Sequence, residues 1–506
     1  MPGDEGRLQR LTAPRTVAIG ATWNVLGRAL PLLVAVAATP FLIDGLGVTR
    51  WGIFTLALSL VGLFGIFDFG FGRAITRLIA DRLATGDEAQ AACSVVTGIA
   101  VLTLLGLLGG GVMAALAHLY VTDLLDLSPA LRQEVLIALY VLCASAPLVI
   151  LNAALWGVLS AFQRFGAANL VITPITALYY LGPLAILPFF DSLIAVMAVL
   201  VVCRAVMTVL CWRLCLQAMP SLRQGRIAFA AIRPLLRFGG WITVSNIAFP
   251  AALYMDRFVI ASSLSAAAAA YYATPFDLIL RFSVIPVAVM QTAFPAMTTS
   301  YRQAPEAAAR LLRISTVAIA ACVFPAALLL TAFAEPVLRL WLGAGFALQA
   351  APVLRILGLG VLFMCADMVP QGLLDGIGRP DLNAKLTVAA TALYIPALLG
   401  LIALLGIEGA ALAWTLRVIA TYASRLALCA RSLPPVAGEV RRLFPPLAVA
   451  LSPVAVQGSP ASPFLIAAVT AACGTLFAAC LWTRSLTAAE RATLRTRLAH
   501  GLRKER

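Results

Sequence analysis

The sequence predicts an all-α polytopic membrane protein: about fourteen transmembrane helices, arranged as two parallel-repeat six-helix lobes plus two C-terminal helices. Three observations predict it. The chain is 62% apolar and only 12% charged over 506 residues, whereas soluble domains carry about 25% charged residues. Apolar runs of the length that crosses a ~30 Å hydrocarbon core recur along almost the whole chain. In lipid every backbone polar group must be satisfied internally, so repeated long runs mean a helical bundle rather than a barrel. The third observation is a repeat. GVLSAFQRFGAAN, from Gly157, matches GLLDGIGRPDLN, from Gly372, at an offset of 215.

Taken in order, the expected spans are 16–38, 51–71, 92–120, 133–156, 168–190 and 192–216, then 237–260, 271–297, 308–333, 351–374, 384–405 and 408–430. Two more, 443–457 and 463–482, close the set; Pro445, Pro446 and Pro453 crowd the first of these. The first span follows Arg7, Arg10 and Arg15 like a secretory leader, but it runs on without a small-residue cleavage site in polar sequence, so it is read as a retained helix. The implied organisation is an N-terminal lobe (1–217), a basic cytoplasmic linker (218–236), a C-terminal lobe (237–431), two extra helices (432–482) and a basic tail (483–506).

Charge placement supports these spans. With the N-terminus in the cytoplasm, 28 of the 37 Lys and Arg fall on the cytoplasmic side. Only Arg50, Arg132, Arg257, Arg339 and Arg355 fall outside, and Arg28, Arg204, Arg281 and Arg417 lie within helices. The positive-inside rule expects this bias, and it puts both termini in the cytoplasm. The net charge of +15 therefore reports orientation and attraction to anionic membrane lipids, not nucleic-acid binding. The ten cysteines all lie in or beside apolar segments without a CxxC, and His118 and His500 form no metal motif. They read as buried free thiols, with no metal or other cofactor implied.

The offset of the repeat extends beyond the two motifs. It takes Asn152 to Asp367, Arg164 to Arg379 and Tyr179 to Tyr394, and an offset of 213 takes Arg204 and Thr208 to Arg417 and Thr421. Six helices separate the copies, an even number, so both halves point the same way through the membrane. Parallel repeats are a transporter architecture, with substrate sites between the halves.

One stretch, IFDFGFGRAITRLIADRLATGD (66–87), turns from apolar to basic within a few residues. Arg73, Arg77 and Asp81 share one helical face. The stretch reads as a helix leaving the bilayer on the cytoplasmic side with Asp68 at the boundary. It is either a polar helix end with a snorkelling arginine or a gating segment.

The interior charges carry the chemistry. An arginine at the bilayer centre costs about 2.5–3.5 kcal/mol on insertion scales, so each must be solvated or paired. Arg281 has Asp277 one turn earlier; Arg28, one turn after Asn24, has no acid on its helix, and neither Arg204 nor Arg417 has an acid within a turn. These arginines, with Asn24, are the candidate substrate-binding residues, against a packed interior as the alternative. The threonines four residues after Arg204 and Arg417 can hydrogen-bond the guanidinium or a ligand. Guanidinium forks match phosphate oxygens, whereas an exporter of organic cations calls for carboxylates. The acids are few: Asp367 is deep, and Asp68 and Asp256 lie nearer helix ends. They are the candidates for coupling to a proton or sodium gradient, and for gating with Arg73 and Arg77. A pairing of Asp367 with Arg355 or with another helix explains it equally well.

Five stretches in order carry a resemblance: PFLIDGLGVTRWGIFTLALSL, FDFGFGRAITRLIA, GVLSAFQRFGAAN, LYMDRFVIASSLSAAAAAYYATPFDLILRFSVIPVAVMQTAFPAM and LRLWLGAGFALQAAPVLRIL. Together they span residues 40 to 357. The chain resembles the multidrug/oligosaccharidyl-lipid/polysaccharide exporter superfamily, and within it the bacterial polysaccharide-biosynthesis (Wzx-type) flippases. The resemblance implies two six-helix lobes around a cavity and export of an isoprenoid-diphosphate-linked oligosaccharide from the cytoplasmic to the outer leaflet of the inner membrane. The partners it implies are that lipid-linked oligosaccharide, membrane lipids and a polysaccharide polymerase complex. A drug or metabolite antiporter, or a flippase for the peptidoglycan lipid precursor, shares the fold and stays open. A glycan polymerase or ligase is disfavoured, because the outer loops near 121–132 and 334–350 are short and lack an acid/base constellation. No GxxxxGK[ST] phosphate loop occurs.

Overall fold

A computed structural model of the chain describes residues 14–68, 79, 88–162, 164–228, 253–449, 463–488 and 490–492. Among these the regular structure is helical throughout, with no strand. The helices are α1 (Pro14–Phe64), α2 (Glu88–Leu119), α3 (Pro129–Cys143), α4 (Ala146–Ala161), α5 (Phe165–Ile186), α6 (Leu193–Ala218), α7 (253–263) and α8 (Ala266–Leu280). They continue as α9 (Val284–Ser300), α10 (Pro305–Ala332), α11 (Ala334–Leu342), α12 (Ala344–Gly376), α13 (Pro380–Ser432), α14 (Pro435–Val449) and α15 (Pro463–Cys480). Proline opens α3, α10, α13 and α14, where a missing N–H leaves no intrahelical bond unmade.

Ten described helical segments are long and apolar enough to cross a membrane. Two of them are double. A helix of 53 residues, as α13 is, would run about 80 Å, far beyond the ~30 Å core. Gly406 breaks it with φ 61°, as Gly47 breaks α1 with φ 76°, in the left-handed region that glycine enters without steric cost. The expected spans at 237–260 and 443–457 lie partly outside the described residues. The described helices form the polytopic bundle that the sequence predicts, in keeping with about fourteen helices.

The expected outer loop near 334–350 is helical, as α11 and the start of α12; α14 begins at Pro435 rather than 443; and three further spans differ locally. The run expected at 51–71 ends its α-helix at Phe64 and closes in a 3-10 turn, Gly65–Asp68. The span at 133–156 is two helices, α3 and α4, broken at Ala144–Ser145. The span at 271–297 is interrupted by a 3-10 turn, Arg281–Ser283. Pro147 and Pro286 stand just past the second and third of these points, and each lacks the N–H that would continue the ladder.

The chain divides into two compact units, Met1–Ala270 and Tyr271–Arg506. In the first, α1 packs on α5, α2 on α4, and α6 on α3, α4 and α5. Val95, Leu102, Leu155, Leu159 and Cys215 belong to its buried core. Leu104, Leu107, Leu108, Val112, Leu116 and Leu119 of α2 stay exposed, the apolar exterior that a bilayer-facing helix requires. In the second unit α12 packs on α9, α10, α11 and α13. Trp414 is enclosed there, its ring 5.3 Å from Phe276 in an edge-on contact. Of the ten thiols, Cys143, Cys211, Cys215, Cys365, Cys429 and Cys473 are buried, while Cys322 is exposed rather than buried as expected.

Candidate functional site

The sequence repeat returns as geometry inside each unit. On α6 the Cys215 thiol lies 3.5 Å from the Leu155 carbonyl; on α13 the Cys429 thiol lies 3.4 Å from the Pro370 carbonyl. Arg204 on α6 stacks over the Tyr179 ring at 5.5 Å, and Arg417 on α13 stacks over the Tyr394 ring at 4.5 Å. Both pairs are those that the sequence offset relates. A desolvated cation–π contact contributes about 2 kcal/mol and a hydrogen bond to a charged group about 1.5–3 kcal/mol. For Arg204, which has both, together they offset the ~3 kcal/mol cost of an intramembrane arginine.

The two arginines differ in what they have left to give. Arg204 is 2% exposed, and its Nη1 donates to Ser145 Oγ at 3.0 Å. Ser145 sits in the break between α3 and α4 and donates in turn to the Leu142 carbonyl at 2.6 Å. The break thus supplies the partner for the arginine. Arg417 is only half-buried, and its Nε is buried without a hydrogen-bond partner. The threonines one turn on do not reach either guanidinium: Thr208 and Thr421 donate to the backbone carbonyls of Arg204 and Arg417 at 2.8 and 2.7 Å. A threonine hydroxyl within a helix satisfies itself on the carbonyl four residues back.

Asp367 on α12 is joined to another helix. It pairs with Arg425 of α13, and Arg355 pairs instead with Glu335 at 3.5 Å. Arg425 is 5% exposed and fully engaged, its Nε donating to Asn383 Oδ1 at 3.2 Å and its Nη2 to Thr387 Oγ1 at 3.3 Å. Asn383 donates onward to Asp375 Oδ1 at 2.7 Å. Sequence reading missed Arg425. It stands five residues from the end of the expected span 408–430, and counted as a boundary charge. The available signal was its spacing of eight from Arg417, which puts it two turns on and about 80° around the same helix.

The remaining candidates do not gather at this place. Asp256 on α7 is fully buried and accepts from the Arg257 backbone N–H at 2.8 Å, while Arg257 Nη1 donates to Ser59 Oγ at 3.1 Å. Arg281 is exposed on the 3-10 turn after α8. Asn24 and Arg28 lie on α1, and Asp68 closes the 3-10 turn after it; their side chains lie outside the described residues. Arg73 and Arg77 also lie outside them.

At the helix ends a second polar cluster appears in the first unit. Arg50 bridges Glu134 at 3.0 Å and Asp191 at 3.1 Å, and Glu134 also accepts from the Leu193 N–H at 2.7 Å. These contacts tie the kink of α1 to α3 and to the start of α6, beside a cleft of about 420 Å³ lined by Gly47, Thr49 and Ser128.

Two units of membrane-crossing helices, each with an arginine stacked on a tyrosine, define a polytopic membrane protein built on a repeat. A multidrug resistance MATE family transporter of the MOP superfamily, in its inward-facing conformation, has a similar fold. Its TM-score is 0.68 at 14% identity, with 82% of this chain and 99% of that one covered. The lipid II flippase MurJ, inward closed, is similar at a TM-score of 0.68 and 14% identity, covering 92% and 98%. A Shigella flexneri protein named "Putative O-antigen transporter" is 26% identical over 399 residues, 79% of this chain and 94% of its own length. The family described as "Polysaccharide biosynthesis protein" matches residues 46–349, more than half of the chain. The chain belongs to that family.

Proposed function

We propose that this protein flips an isoprenoid-diphosphate-linked oligosaccharide from the cytoplasmic to the outer leaflet of the bacterial inner membrane, by alternating access, for surface polysaccharide synthesis. Both termini face the cytoplasm, in keeping with the charge bias. The lobes are 1–217 and 237–431, joined by the 218–236 linker. The observation that carries the reading is the guanidinium character of the interior within a polysaccharide-biosynthesis family. Among the described membrane-embedded charges of α6, α12 and α13, Arg204, Arg417 and Arg425 stand against Asp367. A diphosphate crossing hydrocarbon loses its water, and charge-assisted hydrogen bonds from arginine replace it. The S. flexneri relative, by its name an O-antigen transporter, supports the same class of substrate. The fold does not choose between glycan-lipid and drug export, but an arginine-rich interior disfavours organic cations.

Arg417 is the principal diphosphate contact, because its Nε has a donor free. Arg204 is its first-half counterpart and must exchange Ser145 for the ligand. Arg28, Asn24 and Arg281 extend the path, and Asp68, Arg73, Arg77 and Asp256 serve gating. Asp367 answers a proton or sodium gradient. The protein works as a transporter without catalysis of its own, beside the polymerase that consumes the exported glycan.

Deleting the gene in its host tests this. Surface polysaccharide should disappear while lipid-linked oligosaccharide accumulates inside, and the wild-type gene should restore export. Arg417→Ala should lower export about tenfold to a hundredfold, the loss of one charge-assisted hydrogen bond, with the protein still in the membrane. Lysine there should restore part of it, keeping the charge without the fork. Normal polysaccharide in the deletion strain, with new sensitivity to cationic drugs, would overturn the reading.

A further inference from the structure

The thiol–carbonyl contacts give the two halves a common register, and they expose one difference. One turn before Cys215 stands Cys211; one turn before Cys429 stands Arg425. Opposite them, the first half has Asn152 and the second has Asp367. Asn152 makes neutral bonds, Nδ2 donating to the Leu148 carbonyl at 2.8 Å and to Thr208 Oγ1 at 2.9 Å. The second half holds a buried ion pair at the matching place. At this place in the repeat, charge among the described residues is confined to the second half.

That pair is incomplete on its acid side, as Asn152, whose Oδ1 is also buried without a hydrogen-bond partner, is in the first half; only in the second half is the orphan a carboxylate oxygen. Arg425 uses Nη1 on Asp367, Nε on Asn383 and Nη2 on Thr387. Asp367 engages only Oδ2, and its Oδ1 is buried without a hydrogen-bond partner. The titratable and charged groups acting on Asp367 all come from α13: Arg425, Arg417, Tyr422 and Cys429. Of the other helices packed on α12, α9 carries no charged residue. On α10, Arg313 is committed to Glu439 and Glu490, and Glu306 and Arg310 lie within two turns of its start. On α11, Glu335 is paired with Arg355 and Arg339 is in the last turn. Arg281 is exposed on its 3-10 turn.

Resting on the proposed flippase reading, we infer that Arg425 is a second diphosphate-binding residue, held by Asp367 until a proton neutralises the carboxylate. Eight residues separate Arg425 from Arg417, about 12 Å along the helix axis, with Arg425 toward the end that the charge bias places in the cytoplasm. A headgroup entering from that side meets Arg425 first and Arg417 next. An ionised carboxylate stripped of its guanidinium inside the membrane is costly. The exchange therefore proceeds with one proton added at the unpartnered Oδ1. The O–H bond is the only bond formed; the guanidinium keeps its charge and moves from carboxylate to phosphate oxygen. Loss of that proton after transport returns the pair.

The test uses full-length protein in nanodiscs and farnesyl-diphosphoryl N-acetylglucosamine, a diphosphate diester that does not titrate near neutral pH. Calorimetry in buffers of different ionisation enthalpy counts the protons taken up. Wild type should take up about one proton on binding, with affinity falling as pH rises, by at most about tenfold per pH unit. Asp367→Asn should bind without proton uptake and without that pH dependence. The double change Asp367→Asn/Arg425→Cys recreates the first-half arrangement, and a neutral replacement of a buried ion pair is tolerated. It should fold, shown by its melting curve, and bind about tenfold more weakly than wild type at pH 6, again without proton uptake. Should the single variant fail to fold, the double variant decides. Wild-type binding without net proton uptake, or wild-type affinity in the double variant, overturns the inference and leaves the flippase reading standing. No binding by wild type at any pH overturns both.

Discussion

Arg313 on α10 shows at the residue scale how an arginine is fully satisfied. Its side chain is completely buried and engages Glu439, the Ser485 carbonyl and both oxygens of Glu490. Burial alone would raise the Glu490 carboxyl, but hydrogen bonds from Arg313 and the Thr487 N–H outweigh it and hold the group down to about 2. A depressed acid contributes stability that is present above its unfolded value and lost as pH falls through the folded one. The latch between α10 and the residues after α15 should therefore hold from pH 7 to 5 and loosen between about 4.5 and 2. Hydrogen-exchange protection of residues 484–492, corrected for intrinsic rates, checks this; loss already between pH 7 and 5 would contradict it. Arg417 differs at Nε, which in Arg313 donates to Glu439 and in Arg417 has no hydrogen-bond partner. Sequence alone singled out Arg204 and Arg417 through their depth and their offset. It could not rank them, because Ser145 becomes a partner only through the break after α3. Arg425 was missed because distance to a helix end, not its spacing from Arg417, decided how it counted.

At the scale of elements, the apolar runs were legible, and most boundaries fell within a few residues of the helices observed. What periodicity in an all-apolar run cannot show is where a helix breaks. The turn at 144–145, the 3-10 turn at 281–283 and the early end at Phe64 all came from the structure. Packing contacts explain glycines that composition leaves silent. A Cβ on Gly52 would lie 1.8 Å from the Ala266 carbonyl oxygen, a backbone atom that cannot swing aside. Gly52→Val should therefore push α1 off the start of α8 and cut the yield of folded protein severalfold, read by fluorescence-detected size exclusion. Gly65→Val, where no atom stands within 4 Å of the added Cβ, serves as the control and should express normally. Equal yields would show that α1 and α8 approach each other less closely than described.

For the whole molecule, composition gave the class of protein, a polytopic helical membrane protein. Matching pairs Arg204–Tyr179 and Arg417–Tyr394 bear the repeat out in side-chain geometry. The substrate was not legible from fold, since a multidrug transporter and a lipid II flippase share it at equal TM-score. It rests on family membership and on the sign of the interior charge. The sequence also hid the asymmetry between halves, because Asn152 and Asp367 look like a conservative exchange until Arg425 is placed beside one of them. Reconstituted transport tests the central claim most directly. Purified protein in liposomes should speed transbilayer movement of a fluorescent isoprenyl-diphosphate oligosaccharide well above protein-free liposomes, and Arg417→Ala should remove most of that gain. Unchanged movement of the glycan lipid, with expulsion of an organic cation from the same liposomes, would contradict the account.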